Sequence, residues 1–273
     1  MIKLKALKLN SLDFIKNKGI AEMKDSTKRF SDRVENYIKY RPGYPADIIE
    51  FLKVKCGLSR DLSVADIGSG TGILTKLFLS NGNIVYGIEP NKQMREAGEK
   101  YLTQHQNFKS VNGTAENTTL NDNSVDIIAA GQSFHWFNIN ESIREFSRIL
   151  RPDGWTVLIW NSRRTNTNKF SADYEQLLLD FGIDYKKVDH KNINEDTLKK
   201  FFKEYDFNIF PNFQDLDLEG FKGRLLSSSY IPERTHPVFN KMMNRTEEIF
   251  RNSEKDGKVR IEYNTELYYG KII

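Results

Sequence analysis

Three glycines in the run Asp66-Ile67-Gly68-Ser69-Gly70-Thr71-Gly72 are the residues of this chain best suited to hold a ligand. The apolar pair Val64-Ala65 precedes them, and Ile73-Leu74-Thr75-Lys76-Leu77-Phe78-Leu79, which follows, reads as a helix. Strand, tight turn and helix start together are how a doubly wound sheet presents backbone N–H groups to a nucleotide-like ligand. A Cβ at these positions would block the turn or the ligand's close approach. A dinucleotide fingerprint reads G-x-G-x-x-G, whereas here Ile73 stands three residues after Gly70 and the third glycine comes early, at Gly72. That spacing weakens a pyrophosphate reading. Ile84-Val85-Tyr86-Gly87-Ile88-Glu89 reads as a second strand ending in an acid. A carboxylate there can accept hydrogen bonds from both ribose hydroxyls, and bonds to a charged acceptor contribute roughly 1.5–3 kcal/mol net.

Other candidates for chemistry lie further along. Gln132 follows a fourth apolar run, so its amide points into the mouth of any crevice there. His135, between Phe134 and Trp136, could serve as a general base, a role contributing roughly a hundredfold or more; it could equally be a packed residue that shapes a pocket. Trp136 and Phe137 read as pocket wall. Near the start, Tyr37, Tyr40, Arg41 and Tyr44 form an aromatic and cationic cluster. The planar fork of an arginine suits a carboxylate, while a helix-end surface cluster is the alternative. No Cys/His or carboxylate group has metal-ligand spacing, so no structural zinc is expected.

The elements that must position these residues alternate. Residues 44–58 carry Ile48, Ile49, Phe51 and Leu52 at helical spacing. Strands are expected at 62–67, 84–89, 107–112, 124–130 and 155–161, with helices at 72–81, 91–104 and 139–149. Such alternation implies an α/β fold: a parallel sheet with right-handed crossovers and helices on both faces. The ligand site then lies at the carboxyl ends of the strands, where strand order reverses. Beyond Asn161 the rhythm changes. Residues 170–181 and 195–205 read as helices, joined by a polar, lysine-rich connection. A helix pair follows at 218–229 and 236–254, with Asp217 as N-cap, and 258–269 alternates as an edge-type strand.

Several of these stretches resemble class I S-adenosylmethionine-dependent methyltransferases. Asp66–Gly72 and Gly87-Ile88-Glu89-Pro90 look like that family's first two motifs. Asn112-Gly113-Thr114-Ala115-Glu116 looks like its adenine-binding turn, Ser124–Ala130 like its fourth strand and Leu150-Arg151-Pro152-Asp153-Gly154-Trp155 like the turn before its fifth. Gln132-Ser133-Phe134-His135-Trp136-Phe137 and Tyr40-Arg41-Pro42-Gly43-Tyr44-Pro45 resemble the small-molecule branch that includes trans-aconitate-type and ubiquinone-pathway-type enzymes. The resemblance covers residues 24–161 and is loose thereafter. It implies a doubly wound, seven-stranded, mostly parallel Rossmann-like sheet with an antiparallel last strand. It also implies a helical, lid-like insertion over 162–205, before the sixth strand, and S-adenosylmethionine as cofactor.

The resemblance also assigns roles. Asp66 would orient the turn and reach the methionine amino group. Gly68, Ser69 and Gly70 would admit the ligand, and Thr71 would contact it or cap the helix. Glu89 would hold the ribose, Pro90 and Met94 would wall the adenine, and Thr114, Ala115 and Glu116 would edge it. Gln132 would meet the methionine end or the acceptor. Tyr37 and Arg41 would fold over the cofactor, with Arg41 on its carboxylate or on an acidic substrate.

Composition bounds the rest. The chain has 273 residues, long enough for one sizeable core. Its single cysteine, Cys56, fits a reducing cytoplasm. No apolar run approaches the roughly 20 residues of a membrane span. The net charge of +4 comes from 41 basic residues interleaved with 37 acids, so a solvated surface is expected rather than a nucleic-acid interface. Residues 1–22 carry five lysines and no arginine; they read as a dispensable leader or an upstream extension, with 23–273 as one methyltransferase domain, monomeric or homodimeric. The reaction expected is in-line methyl transfer to an oxygen or carbon of a small molecule. A non-catalytic cofactor-binding protein and a nicotinamide-dependent oxidoreductase are the alternatives.

Overall fold

The computed structural model describes residues 34–185 and 195–272, so the expected leader at 1–22 lies outside the described residues. Seven strands form one sheet in the order β3-β2-β1-β4-β5-β7-β6. They are β1 (Ser63–Ile67), β2 (Ile84–Ile88), β3 (Phe108–Val111), β4 (Val125–Gly131), β5 (Leu150–Arg163), β6 (Phe202–Leu216) and β7 (Val259–Ile272). The first five run parallel, and β7 is antiparallel to both of its neighbours. Every residue of β1 is buried, as expected of a strand covered on both faces. Order reverses between β1 and β4, whose carboxyl ends are Ile67 and Gly131.

Helices cover both faces. On one face α2 (Asp47–Cys56), α3 (Ile73–Asn81) and the end of α4 (Lys92–Tyr101) bury Ile48, Leu52, Phe78 and Leu102 against β1, β2 and β4. On the other, α5 (Ile139–Ile149) and α7 (Glu195–Phe201) bring Phe146, Ile149, Leu198 and Phe201 onto Ile67, Ile128 and Trp160. A third cluster lies past the carboxyl end of β5 and the amino end of β7. There α6 (Lys169–Phe181), α8 (Leu218–Leu226) and α9 (Phe239–Ser253) pack Tyr174, Phe221 and Ile249 against Ile261 and Tyr263. A first helix, α1 (Val34–Tyr40), lies on α8. Side chains cap these helices: Asn91 accepts the Met94 N–H at 3.0 Å, and Asp217 accepts the Gly220 N–H at 2.7 Å, as the sequence predicts for Asp217.

Two expectations need correction. The helix expected over 195–205 stops at Phe201, and β6 begins at Phe202. Leu198 and Phe201 bury a single helical turn against α5, after which the backbone pairs with β7 from Phe202 to Leu216. The strand expected as an edge, β7, is interior; β6 is the edge. The alternation of Val259, Ile261, Tyr263, Leu267 and Tyr269 reflects burial on one face, and a strand one place in from the edge can carry the same pattern. The insertion also divides: α6 joins the helical cluster, whereas α7 packs under the sheet with α5.

Candidate active site

The glycine turn follows β1 with Gly68, Gly70 and Gly72 at φ +69°, +56° and +85°, a region where only glycine is unstrained. Its N–H groups are spent within the protein. Gly68 and Ser69 both donate to the Ile88 carbonyl, at 2.8 and 3.0 Å, and Gly70 donates to Glu89 Oε2 at 2.9 Å. The expectation that the turn offers these N–H groups to a ligand is therefore not met at those three positions. An anion such as a pyrophosphate would find them occupied, which removes the usual grip of a dinucleotide site.

Two adjoining cavities open along the carboxyl ends of β1, β2 and β4. The first is lined by Glu89, Pro90, Met94, Thr114, Ala115 and Glu116, together with Gly70. The second is lined by Arg41, Asp66, Ser69 and His135, with Arg163, Arg224 and Tyr230 from beyond β5. Tyr37, Gly68, Gln132 and Trp136 belong to both. Of the residues singled out in the sequence, Tyr40, Thr71 and Gly72 line neither, and Thr71 is 1% exposed.

Neighbouring elements fix each wall. Glu89 is buried, with Oε1 accepting the Asn91 N–H at 2.8 Å and Oε2 the Gly70 N–H. Burial raises its pKa against the pull of those two donors. Each oxygen keeps a second lone pair that can take a ribose hydroxyl. The Thr114 turn is pinned from α5, where Glu145 accepts the Thr118 N–H at 2.7 Å and pairs with Arg148. Glu116 Oε1 accepts the Asn138 N–H at 2.8 Å, tying that turn to the start of α5. Gln132 stands at φ +61° just after β4, a costly conformation for a side chain with a Cβ that sets it between the two cavities. Next to it, a Cβ on Gly131 would lie 2.6 Å from the Tyr44 hydroxyl, so only glycine lets residue 44 approach. His135 lies in a single 3₁₀ turn, Phe134–Trp136.

At the far end of the trough stands Asp66, 1% exposed. Its Oδ2 accepts the Thr75 hydroxyl at 2.6 Å, while Oδ1 has no hydrogen-bond partner. Burial, against the Thr75 bond and with help from the charge on Glu89, pushes its pKa up to about 7. Arg41 lines the same cavity. Its Nη2 donates to the Ser227 carbonyl at 2.9 Å, its guanidinium lies 4.9 Å from the Tyr37 ring centroid, and its Nε has no partner. An orphaned carboxylate oxygen and a guanidinium without a carboxylate partner, in one cavity, match the ammonium and carboxylate of an amino-acid tail. With the ribose acceptor at Glu89, the residues present fit S-adenosylmethionine.

Residues 65–158 match the family model described as a methyltransferase domain. Over that stretch the chain is similar to methyltransferases. A relative named only as an uncharacterized methyltransferase, from Mycobacterium tuberculosis, is 35% identical over 140 residues, 51% of this chain and 55% of that protein. Another, from Saccharomyces cerevisiae and provisionally named an S-adenosylmethionine-dependent methyltransferase, is 30% identical over 130 residues, 46% and 44% of the two chains. The chain thus spans about half the length of the curated relatives it matches. Among solved structures, a candidate type II methyltransferase from Anaeromyxobacter dehalogenans superposes with a TM-score of 0.66 at 18% identity, covering 85% of this chain and 98% of that one. At that identity the likeness concerns the fold. The matched stretch takes in most of β1, all of β2 to β4 and the first part of β5, with the cavity lined by Glu89, Met94 and Thr114. Arg163, Arg224, Tyr185 and Tyr230 come from outside the matched stretch.

Those last residues were not among the sequence candidates. Arg163 ends a strand, and Arg224 sits in a helix whose sequence marks no site. Only the packing of α6, α8 and β7 turns them inward.

Proposed function

We propose that this chain is an S-adenosylmethionine-dependent methyltransferase that methylates a small molecule at oxygen or carbon. The observation that carries the reading is the pairing, in one trough, of the unpartnered Asp66 Oδ1 with Arg41 at one end and Glu89 at the other. The cofactor, when bound, supplies a methyl group on a sulfonium: the nucleophile's lone pair forms the new bond to carbon, and the carbon–sulfur pair stays with sulfur as a neutral thioether.

The protein's own residues do the rest. Glu89 holds the ribose hydroxyls. Pro90, Met94 and Ala115 present apolar surface to the base, and Thr114 and Glu116 close its edge. Asp66 and Arg41 fix the amino-acid tail, and Tyr37 with Trp136 covers the middle of the trough. Holding nucleophile, carbon and sulfur in line can contribute on the order of 7–11 kcal/mol, so strong acid–base machinery is dispensable. Where the nucleophile carries a proton, His135 receives it, since among the described histidines it alone lines this cavity.

Calorimetric titration with S-adenosylmethionine, its demethylated product and NAD tests the reading, with Glu89→Ala alongside. Micromolar binding of the first two, lost in the variant, is expected. Binding of NAD alone would overturn the assignment.

A further inference from the structure

The acceptor cavity holds more positive charge than its own carboxylates balance. Three guanidinium groups line it: Arg41, Arg163 and Arg224. Arg224 is 6% exposed, and all its partners are neutral: the Tyr263 hydroxyl at 3.2 Å, the Ser228 hydroxyl at 3.1 Å and the Ser227 hydroxyl at 3.5 Å. Arg163 pairs through Nη2 with Glu175 at 2.5 Å and receives further support from the Tyr185 oxygen at 2.8 Å, yet its buried Nη1 has no partner. Arg41 and Arg224 stand close enough for the charge on one to weigh on the other. Among the described residues the only carboxylate lining this cavity is Asp66, already matched to an ammonium.

Buried charges in folded proteins are normally paired. A buried arginine left with hydroxyl partners beside a cavity is therefore a receptor awaiting an anion. The cofactor's single carboxylate is matched to Arg41, which donates to the Ser227 carbonyl at the end of α8. Arg224 and the free Nη1 of Arg163 remain, on the wall built by α6, α8 and β7. Both residues line the cavity, and a guanidinium, a donor-only planar group, suits the two oxygens of a carboxylate. Tyr230 and Ser229 line the same wall and add hydroxyl groups for the remaining lone pairs.

We infer that the methyl acceptor is a small carboxylic acid, bound as its anion by Arg224 with Arg163, and that these two arginines set acceptor specificity. This rests on the methyltransferase reading but has a separate readout.

The test uses the full chain, with succinate, malonate and benzoate set against the corresponding amides. Melting temperature and the release of demethylated cofactor are both followed. At least one acid is expected to raise the melting temperature and to speed cofactor turnover, its amide doing neither. In Arg224→Met the KM for that acid should rise 30-fold or more, with S-adenosylmethionine affinity unchanged. Arg224→Lys, which keeps the charge without the fork, should fall between and guards against a variant that merely misfolds. Amides acting as well as acids, or Arg224→Met leaving the response to acids intact, would overturn the inference. So would a melting temperature that no acid moves. Failure of S-adenosylmethionine to bind the unaltered protein would instead strike the cofactor reading, since acid-induced stabilisation is read without cofactor.

Discussion

Replacing Asp66 by Asn should make the ligand-free protein more stable above neutral pH while weakening its hold on cofactor. Asp66 has its pKa pushed from the usual 3.8 to about 7, chiefly by burial. An acid whose folded-state pKa is raised costs nothing when both states are protonated, below about pH 4. From there to pH 7 the unfolded chain ionises while the folded one resists, so stability falls as pH rises; above 7 the cost levels off. A shift of roughly three units corresponds to about 4 kcal/mol at the plateau, and to about 2.5 kcal/mol of change between pH 5 and pH 8. Asn keeps an oxygen for the Thr75 hydroxyl and carries no charge. Carboxylates that titrate the other way, such as Asp126 with Arg151, are held in common and cancel between the two proteins. Urea unfolding of both proteins at pH 5, 6, 7 and 8 therefore isolates the group. The variant's advantage should grow by about 2.5 kcal/mol across that range, with equal m-values. An advantage independent of pH, or a variant less stable at pH 8, would refute the account of Asp66 as a desolvated carboxylate kept for its ligand.

Three further outcomes follow from the geometry. Glu89→Gln removes a charged acceptor from Gly70 and from the ribose position, and S-adenosylmethionine affinity measured by calorimetry should drop roughly 10- to 100-fold, the equivalent of about 1.5–3 kcal/mol. Gly223→Ala would set a Cβ 2.1 Å from the Tyr40 ring; α1 should lift from α8, exposing the Tyr37–Arg41 segment to limited proteolysis and lowering the melting temperature by several degrees. His135→Gln should leave cofactor binding intact and, for an acceptor that must lose a proton, cut kcat about 100-fold or more with loss of the acidic limb of the pH–rate profile. An unchanged kcat would restrict His135 to shaping the cavity.

The sequence made the matched half of the molecule legible because there local pattern and tertiary role coincide. β1 is an apolar run ended by glycines, and Glu89 closes a second one, so both could be placed by spacing alone. β6 escaped because it is an edge strand. Phe207, Ile209 and Phe213 are exposed on it, Asn208, Asn212 and Gln214 alternate with them, and Pro211 interrupts it. The alternation puts its apolar set on the exposed face and a proline breaks it, so it does not announce a strand buried in a sheet. Arg163 and Arg224 were hidden for another reason. A charged residue in a polar context reads as surface, and only tertiary packing removes these two from water. Arg41 could be found because a cluster of tyrosines surrounds it in sequence as well as in space.

The inner position of β7 also sets a timetable for folding. Along β5, residues Thr156 to Arg163 find their ladder partners in Gly270 to Tyr263, and among the described strands β6 has β7 as its only neighbour. As the chain leaves the ribosome, β1 to β5 can pair in order of synthesis. The open flank of β5, carrying Val157, Ile159 and Trp160, then waits through roughly a hundred residues for its partner, a span of about 5–20 s at ordinary elongation rates. For that interval the nascent protein shows a long apolar strand edge to its surroundings, the situation in which edges of other chains are captured. Final insertion of β7 closes the flank, gives β6 its place and brings Tyr263 beneath Arg224, so sheet and acceptor wall are completed in one late event.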